Sequence, residues 1–562
     1  MRREVSVVNK KVCSFPILFA LLALLIGTCA VVFPASAQAA PTSTGSITVS
    51  GTVASSYDAY QIFSANVVDG DSDAKIATDL AWASDAVRDA ALPVLHSAGM
   101  PKSQTTAQEA AEWLNTDSHL TSALSAQLAR SLQNSGAELA ALNAGTAAKL
   151  PCGYWLIVAD DDAIAQNEAG TAPIMALVGG SAVTVKPKAA TPKVAKHALE
   201  DSTAAWQKAA DSTVGDDLYW RLSATVPAGL TAYDAYAVQF VDTMSAGLDP
   251  SRVASSMRVY VAAGADGGFG AVPAGKDGRA GTEPAKGWTD ITAQCATKVA
   301  ADGTFTVRTG DLIAALGGAD AFTAGARVVA VYNAPLNSAC NHGIAKGNPN
   351  EVYLRYPRSP LADQSGDAGF TRTPSDDACA YTWDLALTKR GSDGDKPLAG
   401  AVLSIADDRG RTLAADGTWD AEGKATVTTG EDGRVTVSGV DSGKLEVREL
   451  KAPKGYTAFE GARSVTVKAE GLDVDQVAAA KPKLTITAES PLRADSADGS
   501  TGSLEASIIN TPTGTPPSIT TGGFMPLTGD MAMYAVAAAA VAGAALIVVA
   551  LLINRGGGSH KE

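Results

Sequence analysis

Two long apolar runs bracket the chain, and between them the hydrophobic positions fall into short, mostly alternating segments. The first run, residues 15–33, follows Arg2, Arg3, Lys10 and Lys11 and precedes Ala37-Gln38-Ala39. That order is a secretory signal, with the mature chain starting near Ala40. The second run, residues 531–553, is long enough to cross a bilayer as a helix, and Arg555 and Lys561 beyond it favour the cytoplasmic side. Period-two alternation predicts strands at 46–53, 57–63, 153–158 and 181–185. From about Lys75 to Leu150 the spacing becomes three and four, as in Ala110-Ala111-Glu112-Trp113-Leu114, and predicts a helical insertion. Strand-like segments return at 218–222, 257–261, 328–332, 381–389, 398–405, 445–456 and 504–512. Residues 264–287 are Gly-rich and polar and read as a surface loop. The stretch 511–523 is rich in Thr, Pro and Gly and reads as an extended tether. The expectation is a mainly β chain of several domains, the first carrying a helical insertion.

Composition narrows the function classes. The formal net charge of −14 argues against nucleic acid and anionic lipid surfaces as partners. Of six cysteines, Cys13 and Cys29 leave with the signal. Cys152, Cys295, Cys340 and Cys379 remain in an oxidising setting, where three disulfide connectivities are open; Cys295–Cys340 is the pairing expected within one domain. No CxxC occurs, and Asp69, Asp71 and Asp73 have the first spacings of a calcium loop but lack its Gly and its terminal Glu. No metal and no cofactor is expected. The five histidines lie apart, and no nucleophile elbow, HExxH or P-loop is present, so the chain is not read as an enzyme.

Met525-Pro526-Leu527-Thr528-Gly529, ahead of the C-terminal apolar run and basic tail, resembles the LPxTG sorting signal of Gram-positive surface proteins, with Met at the first position. The resemblance implies that a sortase cysteine attacks the Thr528 carbonyl and expels Gly529 onward. Val183-Thr184-Val185-Lys186-Pro187-Lys188 resembles the pilin motif of sortase-assembled pili, with Lys186 in place of the usual Tyr. By that resemblance Lys188 is the amine that resolves the acyl-enzyme, with Lys186 and Lys193 as competitors.

The next segments resemble the middle domain of Gram-positive shaft pilins. The matching pieces are Val214-Gly215-Asp216-Asp217, Phe240-Val241-Asp242-Thr243 and Gly347-Asn348-Pro349-Asn350-Glu351-Val352. Such domains are Ig-like sandwiches often closed by a lysine–asparagine isopeptide bond. By position Lys196 would be the amine and Asp242 the acid. The family's usual acceptor falls where this chain reads Tyr356-Pro357-Arg358-Ser359-Pro360. Either Asn350 or Asn348 substitutes, or this domain has no bond.

The last domain resembles the B-type domain of collagen adhesins. Tyr381 to Lys389 is its first strand, Glu449 with Ala452-Pro453-Lys454-Gly455-Tyr456 its E-box, and Leu504 to Pro512 its last strand. The resemblance implies Lys389 as amine, Asn510 as acceptor and Glu449 as proton shuttle. Burial would favour a neutral lysine and a protonated glutamate, which polarises the carboxamide for attack and loss of ammonia.

The expected organisation is a signal peptide (1–39), an N-terminal pilin domain (40–189), a middle Ig-like domain (190–375), a collagen-adhesin B-type domain (376–512), a linker (513–524) and a sorting signal with its membrane segment (525–562). The expected product is a shaft pilin at the cell wall, polymerised through Thr528 and Lys188. Its partners would be a pilus sortase, a housekeeping sortase, other copies of itself, tip and base pilins, and peptidoglycan. The alternative is a monomeric wall-anchored adhesin for a host protein or glycan.

Overall fold

The structure, a computed structural model, describes residues 43–514 apart from 72–73, 117, 189–190, 229 and 265–286. The signal peptide, the Gly-rich loop, most of the linker, the sorting pentapeptide and the C-terminal apolar run lie outside the described residues. Three β-rich domains follow one another.

In the first, a five-stranded sheet is built on the long strand Ser56–Asp69. Its Tyr57 and Ala59, with Trp155 and Ile157 of the same sheet, pack against Ile47 of a three-stranded sheet. Tyr60, Ile62 and Phe63 face the helices Asp85–Ser97, Ala107–Asn115 and Ser122–Gln133. Each helix starts on a Ser or Thr whose hydroxyl accepts a first-turn amide, and Thr106 with Glu109 forms a capping box. The helical insertion is narrower than its sequence span. Lys75–Trp82 and Leu139–Asn143 are strands that pair along the 14-residue central strand, and Ala148–Pro151 is a strand that pairs with Thr44–Val49 in the three-stranded sheet.

The middle domain packs two sheets around Trp220, Leu222, Phe240, Phe305, Tyr332 and Leu354. One sheet contains the strands Val194–Glu200, Tyr219–Thr225 and Arg327–Asn333 side by side; the other contains Gln239–Met244, Asn348–Pro357 and Asp376–Tyr381. The expected boundary at 375/376 is therefore corrected. Asp376–Tyr381 pairs with Asn348–Pro357, so it is a strand of the middle domain. The third domain begins at Trp383–Gly391, which runs parallel to the last strand, Ser503–Pro512. A second sheet, centred on Val402–Ala406 and Gly443–Lys451, closes its core.

Polar anchors join the domains. Arg358 Nη1 donates to the Asp161 carbonyl at 2.8 Å, and Arg130 Nη2 to that of Pro360 at 2.8 Å. Asp216 accepts from both Arg409 and Arg411, and the Trp383 indole donates to Asp211 at 2.6 Å.

The expected Cys295–Cys340 disulfide is not formed. All four described cysteines carry free thiols. Cys295 donates to the Ile291 carbonyl at 3.3 Å, while Cys340 sits in the loop after Arg327–Asn333, against Gly247. Burial pushes the thiols of Cys295, Cys340 and Cys379 up to about 11, which suppresses the reactive thiolate. The mature chain unfolded in guanidinium without reductant should therefore react with four equivalents of maleimide, and the folded chain with fewer. Two equivalents in the unfolded chain would restore a disulfide.

Candidate cross-link sites

Among the described residues, two lysines lie in cores with no exposed surface, Lys196 and Lys389. Each occupies an inward position of the strand that opens its domain, and each has a carboxyl group as a hydrogen-bond partner with an asparagine in the same buried cluster.

The third-domain site follows from strand register. Lys389 is paired with Ile508 and Gly391 with Asn510, so the Lys389 side chain has only to lean one step along a parallel neighbour to meet the carboxamide. Its Nζ donates to Asn510 Oδ1 and lies 3.3 Å from Glu449 Oε1. Asn510 Nδ2 donates to that same Glu449 oxygen at 2.9 Å. Glu449 comes from the facing sheet, its side chain is fully buried, and the Phe459 amide holds its other oxygen at 3.1 Å. The Phe459 ring centroid lies 5.8 Å from Nζ. Burial lowers the Lys389 amine to about 8, against the opposing pull of Glu449. All three residues assigned by the resemblance converge.

The middle-domain site is wired across the sandwich. Lys196 lies in one sheet; Asp242 and Asn350 lie on adjacent strands of the other, where Asp242 is paired with Val352 and Met244 with Asn350. All three are fully buried. Lys196 Nζ donates to Asp242 Oδ2. Burial lowers the amine to about 8 and raises the Asp242 carboxyl to about 6, so the neutral pair lies one short proton transfer from the ion pair. Of the alternatives open in the sequence, the structure brings Asn350 into this site. Asn348 instead turns to Asn341 and the Ala380 carbonyl. The stretch where the family's acceptor was sought binds the first domain through Arg358 and Pro360.

Sequence reasoning missed Tyr332. Its hydroxyl accepts from Lys196 Nζ at 2.9 Å and from Asn350 Nδ2 at 2.8 Å, and donates to Asp242 Oδ2 at 3.2 Å. The Val-Val-Ala-Val-Tyr pattern marks it as an inward strand residue, but nothing local shows that its oxygen stands among three polar groups.

The linker between the first two domains leaves the strand Val183–Val185 with Lys186 and Lys188 exposed. Lys193 is also exposed, but its backbone is bonded both ways to Thr225, and Thr191 donates to Glu168 at 3.2 Å. Thr528 and Gly529 lie outside the described residues.

Fold and sites together define a chain of β-sandwich domains with lysine–acid–asparagine constellations in two cores. Residues 384–481 match the family described as the SpaA prealbumin-like fold domain. The trypsin-resistant surface T6 protein of Streptococcus pyogenes serotype M6 is 31% identical over 134 residues. That alignment covers 22% of this chain, and the chain spans 23% of that relative's length. Among solved structures, the T6 backbone pilin of serotype M6 S. pyogenes is 17% identical, with 84% of this chain and 98% of that one covered and a TM-score of 0.44. The full-length major pilin SpaD from Corynebacterium diphtheriae is 15% identical, with 84% and 98% covered and a TM-score of 0.40. The family match and the T6 relative bear out the resemblance to major pilins of Gram-positive bacteria.

If both constellations react, intact mass spectrometry of the mature chain should show the loss of two ammonia molecules. Glu449→Ala should restore one of them, with the remaining branched peptide joining Lys196 to Asn350. A parent mass with no loss would sink both assignments.

Proposed function

We propose that this chain is the shaft subunit of a covalently assembled pilus at the Gram-positive cell wall. The observation that carries the reading is the convergence of Lys389, Glu449 and Asn510 in the domain that matches the SpaA family. In that site the neutral Lys389 amine attacks the Asn510 carboxamide carbon. Glu449 gives its proton to the departing nitrogen and takes one from the attacking amine. Ammonia leaves and an amide ties the first strand of the domain to its last. It is a single-turnover reaction, not enzymatic activity.

The exposed linker lysine supports the assembly step. A pilus sortase would hold the chain as an acyl-enzyme at Thr528, and the ε-amine of Lys188 on the next subunit would displace the enzyme thiol. Strand Val183–Val185 ends three residues before Lys188, so that amine stands clear of the sheet, whereas the Lys193 backbone is fastened to Thr225. A housekeeping sortase would transfer the finished polymer to peptidoglycan, and tip and base pilins would complete it.

In cells carrying the pilus sortase, the wild-type chain should give a ladder of SDS-resistant multimers. Lys188→Ala should collapse the ladder to one wall-linked band, while Lys186→Ala and Lys193→Ala keep it. A single band from the wild type would instead favour a monomeric wall-anchored adhesin.

A further inference from the structure

We propose that Tyr332 is a catalytic residue of the middle-domain cross-link, relaying a proton between Asp242 and the departing nitrogen of Asn350. This rests on reading Lys196 and Asn350 as the cross-linking pair.

The two sites differ in one geometric respect. In the third domain the acid touches both reactants: Glu449 Oε1 is 3.3 Å from Lys389 Nζ and 2.9 Å from Asn510 Nδ2. In the middle domain the hydrogen bonds of Asp242 among the described residues go to Lys196 and Tyr332. Asp242 and Asn350 are diagonal neighbours on antiparallel strands, a separation of roughly 7–8 Å between backbones. Aspartate is one methylene shorter than glutamate. The Tyr332 hydroxyl occupies the gap, in contact with the amine, the acid and the carboxamide. Catalytic proton transfer needs direct hydrogen-bond contact or one bridging group, and here the phenol is that group.

The balance is closed. The Lys196 amine forms the new bond to Asn350 Cγ. Protonated Asp242 passes its proton to the Tyr332 oxygen as the Tyr332 hydroxyl proton moves to Asn350 Nδ2. The carbon–nitrogen bond breaks and ammonia leaves. The Asp242 carboxylate then takes the surplus proton from the former amine nitrogen. Tyr332 and Asp242 end in their starting states, and burial holds the phenol in its protonated form throughout. Among the described residues the hydrogen bonds of Asp242 Oδ2 run to Lys196 and Tyr332, and Asn350 Nδ2 donates to Tyr332, so the phenol is the group these bonds share.

The test is intact mass and peptide mapping of the mature chain at timed intervals after synthesis. Tyr332→Phe keeps the ring against Phe305, whose centroid is 4.8 Å away, and removes only the oxygen. It should form the Lys196–Asn350 bond about a hundredfold more slowly. The Lys389–Asn510 bond should form as in the parent, which reports that the chain has folded. Adding Asp242→Glu to Tyr332→Phe lengthens the acid into the vacated space and should restore the middle-domain bond. An unchanged rate in Tyr332→Phe overturns the relay. So does a double variant that stays slow, since Tyr332 would then act through packing alone. A parent without the Lys196–Asn350 peptide overturns the pair assignment beneath the proposal, and is told apart from a failed relay by the parent mass itself.

Discussion

A lysine amine taken out of water must either keep its charge on fixed oxygens or give the charge up, and the chain depends on that choice. Burying an unpaired ammonium is prohibitive in an apolar core. Among the described residues four lysines are buried, and two solutions are used. Lys75 donates to the Gly179 and Ser181 carbonyls, and Lys208 to the Lys196 and Asp377 carbonyls and to Asp376. Both keep oxygen partners suited to a cation. Lys196 and Lys389 each have an acid for a partner, with a carboxamide in contact with Lys389 and another reached from Lys196 through the Tyr332 hydroxyl. Their charge can pass to the acid, and what remains is a nucleophile against a carboxamide. Burial of a lysine alone does not mark such a site; the neighbouring asparagine does.

The two sites brace their domains differently. In the third, an amide between Lys389 and Asn510 would join the parallel first and last strands within one sheet, so force entering at Trp383 and leaving at Pro512 would bypass the hydrogen-bond ladder between them. In the middle domain a Lys196–Asn350 amide would bolt one sheet to the other, and the terminal strand Asp376–Tyr381 lies beyond it. That strand is held by pairing on two sides, with Asn348–Pro357 and with Ala209–Asp211, and by the contacts of Asp376 with the Lys196 amide and Lys208. Polar anchoring there accompanies the point where the covalent path would stop.

How far the sequence could be read follows from which interactions are local. The third-domain triad was legible because each residue lies in a recognisable strand segment: parallel pairing of the first and last strands brings Lys389 to Asn510, and the facing sheet places Glu449 against both. The middle acceptor was obscured because the family position is filled by Tyr356 to Pro360, which serves the contact with the first domain, while Asn350 enters the core from the opposite end of the same strand. Tyr332 was invisible because an inward aromatic in a hydrophobic strand normally only packs; its role lies in where its oxygen falls relative to three other strands. The middle-domain boundary was placed one strand early because Asp376–Tyr381 and Trp383–Gly391 are separated by a single residue, so no turn signal divides them. Cysteine pairing failed for the reason disulfide arithmetic usually fails: count and compartment permit a bond, and only side-chain placement decides it.

Under the proposed assembly, the position of Lys188 explains why the first domain can be built differently from the other two. Force from the neighbouring subunit would enter the chain at Lys188, pass through Thr191 and Lys193, and reach Val194–Glu200, the strand that carries Lys196. The first domain would hang to one side of that path. Its buried lysine, Lys75, secures the turn at Gly179 to Ser181 just before the linker, and meets carbonyls, a hydroxyl and Asp69, with no carboxamide among its hydrogen-bond partners. The strand leading to the linker, Val183–Val185, is held by three pairs in parallel register with Thr44–Val49. Such a short pairing is adequate for orienting an exposed amine and poor for bearing load. The domains with lysine–asparagine sites are then those lying between the entry of force at Lys188 and its exit toward Thr528, so covalent bracing falls where strain would run and ordinary packing where it would not.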